Sequence, residues 1–359
     1  AVKLLGETYG PFLCFLYTEL RGLIPCPYQC RLAEMTIWME LLIEVYNLFE
    51  GEDPDPRQVK EALYYFESDY CDVMLTYRVR ETLDPSLDFA KRIIMEEDLT
   101  DLRYLYRFGE FISPAELETA EYLGSLPEET VRKMADTFTE GYRKGFAASG
   151  RSYEGKRTVQ IRYHLGFERM IRLAVENFRA MGLEPVIARA AVGSMNRAAS
   201  RTNGYYGTPA SCPYEYDHRY DSALYLDKAF RDRKLAVLRA AYETYRDLAA
   251  GYAGPAVVET FGEEEFAPVN CPQAFSLSGK QEKLLLSYSG EAARIADEYI
   301  PGSETSFTII AFPLPEIGPA FHEIFRETIR INTLDSELYR GIQQTIIRAL
   351  DEGQAVEIR

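Results

Sequence analysis

At Ser149-Gly150-Arg151-Ser152 the hydrophobic pattern of this chain changes period. Downstream, short β-branched runs alternate with amphipathic stretches. Thr158-Val159-Gln160-Ile161-Arg162 reads as a strand, and the helix after it carries Phe167, Ile171, Ala174, Phe178 and Met181. Gly182 stands where a helix C-terminal cap belongs. Residues 185–188 give a second strand, followed by a long connection and a helix with Leu238, Ala241, Tyr245 and Leu248. Gly254-Pro255 turns into a third strand at 256–261, and a helix with Leu284, Tyr288, Ile295 and Tyr299 leads to a fourth at 306–312. Pro313 and Pro315 stop that one. Near-continuous apolar strands alternating with helices imply a parallel sheet covered on both faces. The fold class expected over 151–335 is therefore α/β: a doubly wound, mostly parallel sheet with flanking helices.

Residues 1–150 read as an all-helical region. Met35, Trp38, Leu42, Val45 and Phe49 recur at three- and four-residue steps. Asp53-Pro54-Asp55-Pro56 ends that helix, and further helices are expected to about Ser68 and near 70–82, 86–96 and 114–122. A longer one opens at Pro127-Glu128-Glu129, with acids at the positive end of its dipole, and runs to about Ala148. Residues 336–359 form a third stretch, in which Asp335 caps a helix to Leu350 and 355–358 read as the start of a strand. Such a strand either adds to the sheet or opens a further domain.

Composition narrows the partners. Against 40 lysines and arginines stand 56 aspartates and glutamates, a formal charge of −16. Nucleic acid and anionic membrane surfaces both require cationic faces, so neither is expected as a partner. The most apolar stretch, 35–49, contains Glu40 and Glu44 and is shorter than the roughly 20 residues of a membrane span. The six cysteines are too sparse for a disulfide scaffold, and no secretory signal is legible at the start. A reduced, cytoplasmic protein is the expectation. The first residue is alanine, so residues upstream are allowed for.

Candidate chemistry sits in the loops after the strands, where open α/β sheets bind ligands. The connection from 193 to 221 is unusually long and carries Arg201, Tyr206, Asp217, His218 and Asp221. An imidazole with two carboxylates suits a metal or acid–base work, but the same residues can knit a polar loop together. His164, at the end of the first strand, reads either as a cleft residue or as a hydrogen-bonded core histidine. Cys26 and Cys30 have a spacing that zinc tolerates, without a second ligand pair. Glu40 with Glu44, and the run Glu263–Glu265, read as solvated faces, and His322 receives no role. There is no Walker loop, no Gly-x-Ser-x-Gly elbow and no His-Glu-x-x-His. Only Gly166 lies where a nucleotide site wants a glycine-rich turn.

Several segments nevertheless resemble the N-terminal part of the aminopeptidase T type of leucyl aminopeptidases, in a longer clostridial-type branch. These are residues 158–162 with the following helix and Gly182-Leu183, then Ser306-Phe307-Thr308-Ile309-Ile310-Ala311-Phe312-Pro313-Leu314-Pro315, and the final segments 339–350 and 356–359. Tyr205-Tyr206-Gly207, Asp217-His218-Arg219 and the helical first 150 residues are similar to features of that branch. The resemblance implies metal-dependent hydrolysis of the N-terminal residue of peptides. It also implies that two divalent metal ions are held by a C-terminal catalytic domain lying beyond Arg359. No metal ligand and no catalytic residue is inherited by this chain, and no cofactor is expected in it.

What the resemblance leaves for these residues is an accessory role: a wall of the substrate cavity, a contact with the catalytic domain, or a homodimer contact. The net charge favours a peptide's ammonium group through its field. Under this reading the 193–221 loop closes over substrate, and the chain alone is inactive. The alternative is a non-catalytic binding or assembly module that uses the same loop. A self-contained hydrolase built on Asp217, His218 and Asp221 is the third reading.

Overall fold

The structure, a computed structural model, describes residues 2–51, 53–197, 203–333 and 335–357. Its centre is a parallel sheet of β1 (Thr158–His164), β2 (Glu184–Val186), β3 (Tyr205–Tyr206), β4 (Tyr252–Phe261) and β5 (Thr308–Pro313). The order is β2-β1-β4-β5, with β3 pairing the carboxyl end of β1 at Tyr163↔Tyr205 and His164↔Tyr206. Every pairing is parallel. The α/β architecture read from the strand pattern is the one observed.

Helices precede and surround the sheet. The first group is α1 (Val2–Gly22), α2 (Leu32–Leu48), α3 (Pro56–Asp69), α4 (Cys71–Leu83), α5 (Phe89–Glu96), α6 (Pro114–Ser125) and α7 (Glu128–Ala148). Within and after the sheet come α8 (Glu168–Ala180), α9 (Cys212–Asp217), α10 (Lys228–Thr244), α11 (Arg246–Ala250), α12 (Gly279–Tyr299), α13 (Phe321–Asn332) and α14 (Ser336–Asp351). Their starts follow local chemistry. Asp55 with Gln58 caps α3, Ser113 with Glu116 caps α6, and proline occupies the first turn of both. Asp335 caps α14 through the amides of Glu337 and Leu338, as its sequence implies. Residues 355–357 join no strand.

One sheet face presents Val159, Ile161, Tyr163, Ala256, Val258, Ile310 and Phe312 to a core shared with α5, α6, α7, α8 and α13. Packing therefore crosses residue 150: Met134, Phe138 and Tyr142 of α7 lie in the same core as the strands. The opposite face, where Tyr252 lies, is covered by α4, α10 and α12. A third cluster ties α1, α2 and α3 to Leu224, Tyr225, Leu226 and Phe230. No helix among the described residues is long and apolar enough to cross a membrane.

Candidate active-site crevice

In a doubly wound sheet the ligand crevice opens at the carboxyl ends of strands from which the chain departs in opposite directions. Here that point lies between β1 and β4, because the chain leaves β1 toward β2 and leaves β4 toward β5. Gly166, just past β1, has φ +103°, and a Cβ there would stand 2.9 Å from the Glu116 carbonyl oxygen. Only glycine lets α6 approach the strand end so closely. Gly262, just past β4, has φ +89°, and a Cβ would meet the Ile317 side chain at 2.7 Å. The two turns bring Glu116 and the 315–317 turn over the strand ends, and Tyr206-Gly207-Thr208 follows from β3.

His164 is 1% exposed. Its Nδ1 lies 2.8 Å from the Leu165 carbonyl oxygen, which can only accept, so Nδ1 carries a proton. Burial holds the imidazole pKa below its usual value against the opposing pull of Glu116, so the ring is neutral near pH 7. Nε2 is then an acceptor for the Thr208 hydroxyl at 3.3 Å. Glu116 stands 3.4 Å from the same nitrogen, fully buried. Its carboxylate accepts the amide of Ser113 at 2.6 Å and that of Thr208 at 2.5 Å. Tyr206 packs edge-on to the imidazole with ring centroids 5.1 Å apart. Its hydroxyl is 3.5 Å from Thr260 Oγ1, which donates to Glu263 at 3.2 Å.

Glu316 completes the group. Burial raises its carboxyl pKa, and the charges of Glu116 and Glu263 raise it further. Its Oε2 is buried with no hydrogen-bond partner among the described residues. Glu116 and Glu316 thus lie at the strand ends beside a neutral histidine, while Glu263, exposed as the solvated-face reading expects, adds its charge from the rim. The amino terminus of α8 is already filled: fully buried Glu168 accepts from the Gly166 amide at 2.9 Å and from the Tyr104 hydroxyl at 2.7 Å. A phosphate, which would use that helix end in a nucleotide site, meets a carboxyl group there instead.

The structure divides the residues singled out in the 193–221 loop. Tyr206 belongs to the crevice. Arg201 lies outside the described residues. His218 and Asp221 pair at 2.8 Å and face α1, where Thr18 Oγ1 is 3.3 Å from the same imidazole nitrogen. Asp217 ends α9 and takes no part in that pair. Beneath them, Glu19 accepts the Ser194 amide at 2.8 Å, and burial lifts its pKa to about 7. Lys234, its pKa pushed down to about 8 by burial, donates to the Met195 carbonyl. His218 and Asp221 therefore fasten this segment to the helical body.

Glu116, Thr208, Thr260 and Glu316 were not legible as site residues. The Ser113-Pro114-x-Glu116 spacing is fully accounted for by a helix cap, and Glu116 serves as both cap and wall. Cys26 is buried and Cys30 exposed, and neither forms a disulfide. Glu40 and Glu44 are on an exposed helical surface, as their sequence implies. His322 stacks on Tyr122 with centroids 4.6 Å apart.

No match to this chain is found among protein-family models, curated proteins or solved structures. Among the described residues no group of three or more histidines, cysteines, aspartates and glutamates is arranged to hold a metal ion. The resemblance assigns its two divalent ions to residues beyond this chain, so no step is derived through them here.

Proposed function

We propose that the crevice receives the cationic amino terminus of a peptide, and that this chain is the substrate-holding, non-metal part of a metal-dependent aminopeptidase. The observation that carries the reading is the unpartnered, buried Glu316 Oε2 at the strand ends, in a crevice that also holds buried Glu116 beside His164 and has exposed Glu263 at its rim. Burial raises Glu316 and the charges of Glu116 and Glu263 raise it further, and an ammonium group placed among them offsets both. Neutral His164 adds no competing positive charge, and the Tyr206 ring supplies an apolar wall beside it. The resemblance of residues 158–162 and 306–315 to aminopeptidase T supports the choice of peptide as the amine's bearer.

The test is calorimetric titration with leucine amide and with N-acetyl-leucine amide. The free amine should bind at least tenfold more tightly, and Glu316→Gln should remove most of that preference. Affinity should rise with pH as Glu316 ionises, because the cation favours its charged form. Equal binding of the acetylated amide would overturn the ammonium site. Chelator-sensitive hydrolysis of leucyl anilide by this chain alone would overturn the non-metal assignment.

A further inference from the structure

A second cavity, of about 270 Å³, lies against the middle of β1 on the face covered by α4 and α10. Its polar lining includes Arg78, Gln160, Arg162, Asn203, Tyr242 and Tyr252. In a chain of net charge −16, a cavity whose charged lining consists of two guanidinium groups is the exception. The two arginines are not equivalent. Arg78 is engaged by Glu81 at 3.3 Å and by the carbonyls of Arg189 at 2.7 Å and Asn203 at 3.0 Å. Arg162 has neutral partners: its Nε donates to Gln160 Oε1 at 2.8 Å and its Nη1 to Asn203 Oδ1 at 2.8 Å. Among the described residues no carboxylate lies within ion-pair distance of it.

Gln160 supplies the second observation. It is 2% exposed, and the bond from Arg162 fixes which end of its amide is oxygen. The remaining end, Nε2, is a buried donor with no partner among the described residues. Buried donors left unpaired are rare in folded proteins and mark a place where an acceptor belongs. Tyr242 and Tyr252 have phenol pKa values raised by burial, so their hydroxyls keep their protons. The polar chemistry of the cavity is dominated by donors and positive charge. Leu83 and Ile300 complete the wall with apolar surface. At ~30 Å³ per water the volume holds about nine waters, the space of a short branched organic acid.

We propose that this cavity binds a small organic carboxylate, its oxyanion taken by Arg162 and the Gln160 amide and its short apolar body by Leu83 and Ile300. A guanidinium fork matches a carboxylate's two oxygens, and a partly buried charge whose neighbours are neutral gains most from an anion. The site is separate from the carboxylate-lined crevice and takes a ligand of opposite charge, so it stands independently of the function proposed above.

Titration calorimetry with 4-methylpentanoate, 4-methylpentanol and inorganic phosphate tests it. The carboxylate should saturate one site, with the alcohol and phosphate at least tenfold weaker. Arg162→Met should weaken carboxylate binding tenfold or more, and Arg162→Lys should fall between. No saturable carboxylate binding, an equally tight alcohol or phosphate, or unchanged affinity in Arg162→Met would each overturn the proposal. The comparison of the three ligands uses the unmutated protein and so does not depend on how the variants fold. In amide-detected NMR, 4-methylpentanoate must shift the Gln160 side-chain resonance, and binding that leaves it unmoved also overturns the site.

Discussion

The core between the sheet and α8, and the packing beneath residues 193–226, exclude water to a similar degree with different chemistry. On the α8 side the buried side chains are almost all apolar or aromatic. Phe178, fully buried, stands 5.3 Å from the Tyr142 ring and 6.1 Å from the Phe138 ring. Beneath 193–226 the buried groups include Glu19, Glu67 and Asp221, with half-buried Lys234 near Glu67. Glu67 is fully buried with neither carboxylate oxygen partnered among the described residues, and burial holds its pKa well above the usual range. Apart from Glu168 at the start of α8, whose pKa burial lifts to about 7, the first region owes its stability to area and fit, which pH does not touch. The second holds protons that the unfolded chain would release, so its contribution depends on pH.

The largest effect should come from the dry side. Phe178→Ala opens a cavity among rings that cannot collapse onto it, and about 3–5 kcal/mol should be lost. Urea unfolding should show that loss as a nearly constant offset from pH 4 to 8. An offset that varied strongly with pH would mean the two regions are not as distinct as their composition.

The next effect has the opposite signature. Glu19 has a folded pKa of about 7 against an ordinary value near 4.5, so the folded state keeps a proton that the unfolded state gives up. Its stabilisation is present below pH 4.5, is lost as pH rises to about 7, and stays lost once the folded carboxyl has ionised. That interval corresponds to about 3 kcal/mol. Glu19→Gln keeps an oxygen for the Ser194 amide and has no proton to lose. Relative to the variant, the unmodified protein should therefore weaken by about that amount between pH 4.5 and 7. Parallel curves for the two proteins would show that Glu19 titrates normally and is reached by water.

How much of this was legible in the sequence depended on whether the signal was local. β1, β4 and β5 announced themselves as runs of β-branched and apolar residues, although Gly254-Pro255, read as a turn before the third strand, lie inside β4, which starts at Tyr252. β3 did not: Tyr205–Tyr206 is a strand only because it meets Tyr163 and His164 from elsewhere in the chain. The crevice was half legible. His164 and Tyr206 stood out as a strand-end histidine and a loop aromatic, whereas Glu116 and Glu316 come from distant elements whose local pattern is a helix cap and a short turn. His218 and Asp221 were visible as a pair, but nothing in the sequence said that they face α1. The polar ladder Gln160-Arg162-His164, on alternate positions of a central strand, did carry a period-two signal. It points to the face where the carboxylate cavity lies.

The smallest effect belongs to α14, which tests the comparison from outside both regions. Leu338, Ile342, Ile346 and Leu350 recur every four residues along one side and are between 49% and 62% exposed. The helix is amphipathic and no surface among the described residues buries its stripe, and an isolated helix of this length is marginal in water. Ile342→Lys with Ile346→Lys should therefore change stability by no more than about 0.5 kcal/mol, against the several lost at Phe178. Amide hydrogens of α14 should also exchange long before those of α8. A loss above about 1 kcal/mol that grows with protein concentration would mean that a second copy covers the stripe in solution. In that event α14 would join the dry core as a region held by apolar burial, with the buried area supplied from outside the chain.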